Sequence, residues 1–380
     1  MPLEVERPEA ARAAFAEFAR REIAPHADRW DADERLPREV IDRLAAAGYL
    51  GSLIPSEYGG AGMSMLDFGA LNEEIGRACS SLRSLLTVHG MVQFAIARWG
   101  SPAQKQHWLP RLASGGAIGA FALTESGAGS DGHSIETRAA SRGGGFVLDG
   151  TKRWTTFGAI ADVFLVFAQQ DRGIDALLVE RDRPGVTATP TTGLLGTRAS
   201  MLATVRFDGC DLPRENRLGG AGFGLHAVGA SALDVGRYSV ACGCVGIVQA
   251  SLDASVAYAS ARTQFGAPLK DYQLIQQMIT GMAVNLSAAR CLCRRAGSLK
   301  DAGDPGAMIA TLMAKYFASQ AAMRAAADAV QIHGANGCGS GYPVQRYFRD
   351  AKIMEIIEGS SQIQEITIAR EVCAAGGLLP

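Results

Sequence analysis

A glutamate flanked by two isoleucines and a glycine, in Ile356-Ile357-Glu358-Gly359-Ser360-Ser361-Gln362, is the residue of this 380-residue chain best placed for proton chemistry. Apolar flanks disfavour the ionised carboxylate and raise its pKa, which is how a Glu becomes a usable base near neutral pH. Ser360 and Ser361 can equally cap a following helix and leave Glu358 in solvent, and the local pattern keeps both readings open. Three further segments could hold a ligand. Leu123 to Asp131 (L-T-E-S-G-A-G-S-D) lets the backbone approach a phosphate or a flat ring with NH and OH donors exposed, or is an ordinary Gly-rich connection. Arg262-Thr263-Gln264-Phe265-Gly266 gathers a guanidinium, an amide and an aromatic ring at a turn, as a diphosphate site or as a helix end where the dipole favours Arg. Trp154-Thr155-Thr156 is either a platform for a flat ring or a buried strand Trp.

Other chemistries find no pattern. There is no G-x-G-x-x-G after a strand and no Gly-Lys-Ser/Thr phosphate loop, and His89, His107, His226 and His333 form neither H-E-x-x-H nor a triad signature. The eight Cys (79, 210, 242, 244, 291, 293, 338, 373) include two C-x-C pairs without C-x2-C or His spacing, so no metal site is expected and the thiols suit a reducing compartment. With 37 Lys+Arg against 38 Asp+Glu the net charge is -1, which leaves no global field for nucleic acid or an anionic membrane. A charged N-terminus and the absence of a long uncharged apolar run predict a cytoplasmic protein, neither secreted nor membrane-bound.

The elements that must position these residues fall into three segments. Residues 1–117 read as helical, with Val40, Ile41, Leu44, Ala47 and Leu50 at helical steps, Pro37 opening a helix that Gly48 closes, and Ser101-Pro102 opening another. Residues 118–221 carry short β-rich runs separated by Gly, Asp and Pro, which predicts an antiparallel barrel or sandwich. Residues 222–380 lose strand signals and read as a bundle of long Ala-rich helices over about 225–262, 271–302, 305–333, 343–354 and 361–375. The fold class is therefore α+β, in helical, β, helical order.

These segments together resemble the acyl-CoA dehydrogenase family of flavoproteins over nearly the whole chain. Besides the motifs above, the matches are G-T-R-A-S at 196–200, D-Y-Q-L-I-Q at 271–276, Q-I-H-G-A-N-G at 331–337, Y-P-V-Q-R-Y-F-R-D-A-K at 342–352 and I-I-E-G-S-S-Q-I-Q at 356–364. Departures are Ser126 for a common Pro, Ala335 for a frequent Gly and Met201 for a frequent Asp, none of which removes a catalytic atom. The resemblance implies a C-terminal four-helix bundle, FAD as cofactor, and Glu358 as the base that takes the α-proton of an acyl thioester while the β-hydrogen leaves as hydride to flavin N5. The family's other location for that base aligns with Gly236. Phe121, Leu123, Thr124, Gly129, Ser130, Trp154 and Thr156 match positions that line the flavin. Arg262, Gln264, Phe265, Tyr272, Gln273, Gln331 and Gly334 match positions that usually hold the FAD of a neighbouring subunit, which implies a homotetramer or homodimer. Ser360 and Gln362 complete the flavin set, and Ser130, Arg237 and Gly359 match substrate positions. In relatives the thioester carbonyl is polarised by the base's own backbone NH and by a flavin ribityl hydroxyl, and electron-transfer flavoprotein or another acceptor reoxidises the flavin.

A narrower resemblance lies in Cys79-Ser80-Ser81-Leu82-Arg83-Ser84, in the 236–246 run and in Met354 to Ser361. These are similar to polyketide-pathway dehydrogenases that act on acyl groups tethered to an acyl carrier protein, including the hydroxymalonyl type. That implies a carrier-bound short acyl group, with alcohol oxidation as an alternative to desaturation. An ordinary short-chain acyl-CoA dehydrogenase, a flavin monooxygenase or nitroalkane-oxidase-like enzyme, and a non-catalytic carrier-binding scaffold are the other readings. Arg290, Arg294 and Arg295 form a candidate docking cluster for an acidic carrier protein, or a solvated helix face.

Overall fold

The computed structural model describes residues 8–377, so the outer ends of the first and third expected segments, 1–7 and 378–380, lie outside the described residues. Six helices come first: α1 (Pro8–Phe18), α2 (Ala27–Ala32), α3 (Arg38–Ala46), α4 (Met65–Ala78), α5 (Ser80–Trp99) and α6 (Pro102–Ala113). Local chemistry sets their ends. Ser64 accepts from the Asp67 N–H to cap α4, and Ser101 and Gln104 form a reciprocal capping box on α6. Gly48, at φ +77°, ends the turn after α3 in a conformation that suits glycine.

Eight strands follow: β1 (Gly119–Ala122), β2 (Arg138–Arg142), β3 (Gly145–Thr155), β4 (Val163–Gln170), β5 (Gly173–Glu180), β6 (Val186–Pro190), β7 (Ala203–Leu212) and β8 (Arg217–Leu218). They form one sheet in the order β6-β7-β3-β2-β4-β5-β8, with β1 beside β4. The wholly antiparallel expectation needs correction, because β1 pairs parallel to β4 in the register Gly119↔Val163. Parallel neighbours need a long connection, and here it runs through β2 and β3. Strand β4 is buried on both faces with a period of two: Val163, Leu165 and Phe167 pack toward α5, α6 and the helix that follows the sheet, while Phe164, Val166 and Ala168 pack with Leu148 and Phe207 inside the sheet layer.

The third segment contains α7 (Ala230–Ala261), β9 (Thr263–Gln264), β10 (Ala267–Pro268), α8 (Gln273–Asp301), α9 (Ala307–His333), α10 (Val344–Met354) and α11 (Ser361–Ala374). Strand structure does not vanish there: β9 and β10 pair in a small hairpin whose turn places Phe265 at φ +48° and Gly266 at φ +82°. A π-helical turn, Gly224–Gly229, leads into α7. The combined helix 224–261 is long and apolar enough to cross a membrane, yet 67% of its most apolar window is buried inside the protein. It is the central post of the molecule, with α4, α5, α8 and α9 packed around it. Small residues allow that density. A Cβ on Gly76 of α4 would lie 2.9 Å from Cα of Gly243 on α7, and one on Gly246 would lie 2.2 Å from the Glu73 carbonyl oxygen, so the two helix backbones touch.

Candidate active site

Glu358 sits in the break between α10 and α11, in an unusual backbone conformation. Its φ is +55° and that of Gly359 is +88°, so two consecutive left-handed residues turn the chain and point the carboxylate inward. The carbonyls of this turn are held from three directions. Arg237 Nε on α7 and Gln364 Nε2 on α11 both donate to the Glu358 carbonyl oxygen at 3.2 Å, and Lys315 Nζ on α9 donates to the Gly359 carbonyl oxygen at 2.7 Å. Both expectations for Ser360 and Ser361 are answered here. Ser360 caps α11 by accepting from the Ile363 N–H, as a capping loop would, yet the carboxylate is not in solvent. Its Oε2 is buried and has no hydrogen-bond partner.

That environment sets the chemistry. Burial pushes the Glu358 carboxyl up to about 7, against the opposing pull of Arg237, Lys315 and Arg83. Lys315 is itself fully buried, which lowers its ammonium to about 8. A carboxylate that titrates near neutrality and keeps a buried Oε2 without a partner is free to accept a proton there from a substrate. Glycine opposite it leaves the space: a Cβ on Gly236 would meet Glu358 Oε2 and Met91 Sδ, each at 2.7 Å. The backbone N–H groups of Glu358 and Gly359 donate to no carbonyl of the described chain, so both are free to bind an acceptor oxygen.

The first expected ligand group converges beside the same stretch of α7. The loop after β1 is pinned to the end of β3 by the Arg153 N–H donating to the Thr124 carbonyl at 2.8 Å and by Lys152 Nζ bonding the Leu123 carbonyl at 3.0 Å. Glu125 pairs with that buried lysine at 2.7 Å and accepts from the N–H groups of Glu136 and Thr137. Phe121 and Leu123 thereby pack in one cluster with Leu225 and Leu233, a turn from Gly236. Gly129 and Ser130 lie exposed in the loop, and Thr156 is partly buried after β3. Trp154 is not a buried strand residue: it is 49% exposed at φ +58°, with the Arg153 guanidinium over its ring. An indole held outside the core by an uncommon backbone conformation suits a flat aromatic ligand, so the residues present fit a flavin.

The second expected group lies elsewhere. Arg262, Gln264 and Phe265 follow the far end of α7, 26 residues or about 40 Å from Gly236 at 1.5 Å per residue. Tyr272 donates to the Gln264 carbonyl at 2.6 Å, and Gln273 starts α8. Gln331 and Gly334 join them at the end of α9, which is tied to α7 by the stacked rings of Tyr258 and His333 at 4.2 Å. Phe265 is 97% exposed, with the Tyr272 ring edge-on at 6.5 Å. One extended dinucleotide does not span both groups within a single chain. Gln362 is exposed at the start of α11, near Glu358.

The docking cluster is corrected in one member, since Arg290 is engaged by Glu73 and Gln249 and ties α8 to α4. Among the described residues no group of His, Cys, Asp or Glu could hold a metal. Sequence reasoning assigned no role to Lys315, Gln364, Met91 or Arg83. Lys315 carried a signal, a cation among small and apolar residues of an Ala-rich helix, and Gln364 ended a quoted motif.

A buried base opposite Gly236, the loop after β1 packed one turn away on α7 and an exposed indole at the end of β3, in a helical, sheet, helical frame, fit a flavin-dependent oxidoreductase. The comparisons with known proteins specify it. The acyl-CoA dehydrogenase N-terminal, middle and C-terminal domains match residues 6–116, 120–210 and 222–373 in turn. Short-chain specific acyl-CoA dehydrogenase, mitochondrial, of Mus musculus is 40% identical over 359 residues, covering 93% of this chain and 87% of that protein. A glutaryl-CoA dehydrogenase from Mycobacterium smegmatis in complex with FADH2 superposes with a TM-score of 0.93 at 32% identity, covering 99% of this chain and 96% of the other. FkbI, for biosynthesis of the methoxymalonyl extender unit of the polyketide FK520, has a TM-score of 0.87 at 35% identity, covering 96% and 99%. This chain belongs to the acyl-CoA dehydrogenase family, and is an FAD-dependent oxidoreductase acting on the CH–CH group of acyl thioesters.

Proposed function

We propose that Glu358 is the catalytic base and that the substrate is a short acyl group carried on an acyl carrier protein. The observation that carries the first part is the buried, unpartnered Oε2 of Glu358 facing Gly236. With the thioester carbonyl against the free N–H groups of Glu358 and Gly359, the α-carbon lies in reach of this carboxylate. The polarised carbonyl acidifies the α-proton, and Glu358 takes it as the β-hydrogen leaves with its electron pair. FAD, when bound, accepts that hydride. Arg237, Gln364 and Lys315 fix the turn that aims the base, while Trp154 and the loop 123–131 form the wall against which the ring packs.

The carrier-bound reading is supported by the likeness to FkbI and by the 79–84, 236–246 and 354–361 segments, with exposed Arg294 as a contact for an acidic carrier surface. A second reading, a free CoA ester, is favoured by the identity to the mouse short-chain enzyme. The separation of the two ligand groups by the length of α7 supports a homodimer or homotetramer, in which the hairpin carrying Phe265 completes the FAD site of another copy. The setting is cytoplasmic, with electron-transfer flavoprotein as the acceptor. The deciding experiment loads one short acyl group onto a carrier protein and onto CoA, then compares anaerobic flavin bleaching. Faster bleaching by the carrier thioester supports the first reading; faster bleaching by the CoA ester replaces it with the second.

A further inference from the structure

The sequence between Glu74 and Glu125 holds no Asp or Glu, although it carries Arg77, Arg83, Arg98, Lys105 and Arg111. Two of these cations are already engaged: Arg77 pairs with Glu74 and Asp253, and Arg83 points into the core, bonded to Thr87. The other three lie at the end of α5 and along α6, with Arg98 and Arg111 exposed and Lys105 half-buried. Among the described residues none of the three makes an ion pair. Rings hold two of them instead. The Arg98 guanidinium lies 5.5 Å from the Trp99 ring centre and that of Arg111 lies 5.1 Å from Trp108, with Arg111 NH1 3.1 Å from His107 Nε2. Glu57 on the turn Ser56–Tyr58 and Glu215, whose carbonyl accepts from Gln104, come from segments packed on α6, and neither pairs with these cations. Fixed positive charges without counter-ions are complementary to an acidic surface, and they are a local feature of a chain whose net charge is -1.

This face is joined to the base by α5 itself. Met91 faces the Glu358 carboxylate across Gly236, and Arg98 follows it by seven residues, or about 10 Å along the helix at 1.5 Å per residue. The two helices stay together over that stretch, because Trp99 Nε1 donates to Ser231 Oγ on α7 at 2.9 Å. The turn before α7 closes on the same side chain. A Cβ on Gly219 would lie 3.9 Å from Trp99 Cβ, and Phe223 at the end of this turn is 49% exposed. A thioester on a phosphopantetheine arm needs its protein carrier within one arm length of the base, and an extended arm exceeds the span from Arg98 to Gly236. The cations and the exposed ring stand inside that limit.

We propose that the end of α5 and α6 form the docking face for the carrier protein, with Arg98, Lys105 and Arg111 pairing with carboxylates of an acidic carrier helix and Phe223 as the apolar contact. The proposal rests on the carrier-bound reading above and gives it a larger surface than Arg294 alone. Exposed charges of this kind act on encounter and on KM, and leave the chemical step as it is.

The test gives the FAD-loaded enzyme three butyryl thioesters: on a type II acyl carrier protein, on CoA, and on pantetheine, which has neither protein nor phosphate. With Arg98→Glu, Lys105→Glu and Arg111→Glu combined, KM for the carrier thioester is expected to rise about 30-fold, while kcat and the pantetheine KM stay within about twofold. In the unmodified enzyme the carrier KM is expected to rise about tenfold between about 50 and about 300 mM salt, with the pantetheine KM constant. A salt-independent carrier KM overturns the proposal, and needs no variant to fold. So does a triple variant with an unchanged carrier KM, or one whose butyryl-CoA KM rises as much as the carrier KM, which would assign the cations to phosphate. Titration calorimetry with the unloaded carrier separates this proposal from the reading beneath it. Carrier binding that charge reversal weakens at least tenfold, without bleaching by the carrier thioester, upholds the face and counts against the carrier-bound substrate. Bleaching by the carrier thioester that charge reversal leaves untouched does the opposite.

Discussion

Oε2 of Glu358 and the position a Cβ would take on Gly236 are 2.7 Å apart, although the residues are separated by more than a hundred positions in the chain. Two segments, the turn between α10 and α11 and the helix α7, therefore offer the same point in space to a carboxylate. Only one of them carries it, and the other must be glycine for the first to fit.

That relation predicts a relocation. Gly236→Ala should lower turnover by at least tenfold, because its methyl would collide with both Glu358 and Met91. Glu358→Gly should abolish turnover, and adding Gly236→Glu should restore between a hundredth and a tenth of it, since the new side chain leaves α7 2.7 Å from where Glu358 Oε2 stood. Steady-state turnover of the single and double variants checks this. Glycine also suits the φ of +55° at position 358, so the double variant is not expected to lose fold stability at that turn.

The pH dependence follows from the burial of Glu358. Its carboxyl is raised to about 7 and acts only when ionised, so kcat/KM should fall tenfold per unit below about pH 7 and level off above it. The Lys315 ammonium pulls the value down, and removing it in Lys315→Met should move the acidic limb upward by roughly one unit. A merely structural Lys315 would lower the rate without moving the limb. Initial rates across pH 5 to 9, for both proteins, separate the two.

Gly359 tests the strained turn. Its φ is +88°, and a Cβ there would meet Gln364 Nε2 at 2.9 Å, the amide that braces the Glu358 carbonyl. Gly359→Ala should cost about 1–2 kcal/mol of stability and at least tenfold in kcat, read from thermal unfolding and turnover.

Phe265 tests the two-copy reading. Phe265→Ala removes a ring that is 97% exposed on its own chain, so the helical content should stay unchanged while FAD affinity falls by roughly three- to tenfold, as loss of one stacking contact implies. Flavin release on dilution measures it.

The order of helical, β and helical segments was legible in the sequence because long Ala-rich periodicity and short β-branched runs leave different patterns. Helix ends were legible where a cap residue stood, as at Ser101-Pro102. The parallel pairing of β1 with β4 was not, since alternation reports burial and carries no strand direction. Nor was the hairpin 263–268, whose two-residue strands are too short to show a period. In the site, Glu358 announced itself through its apolar flanks, but its partners come from α5, α7 and α9 and meet only on folding. Trp154 stayed undecided in isolation, because nothing in W-T-T shows that its backbone turns left-handed and expels the ring. Arg83 reads as an ordinary helical arginine until Gly243 brings α7 across it.

The central claim is that Glu358 removes the substrate α-proton. It is tested most directly by mixing FAD-loaded Glu358→Gln with a short acyl thioester that bleaches the unmodified enzyme, without oxygen, and following the flavin absorbance. The account predicts a yellow variant that still binds the thioester, seen as a shift of the flavin bands, and bleaches roughly a thousandfold more slowly or not at all. Bleaching at the unmodified rate would contradict it.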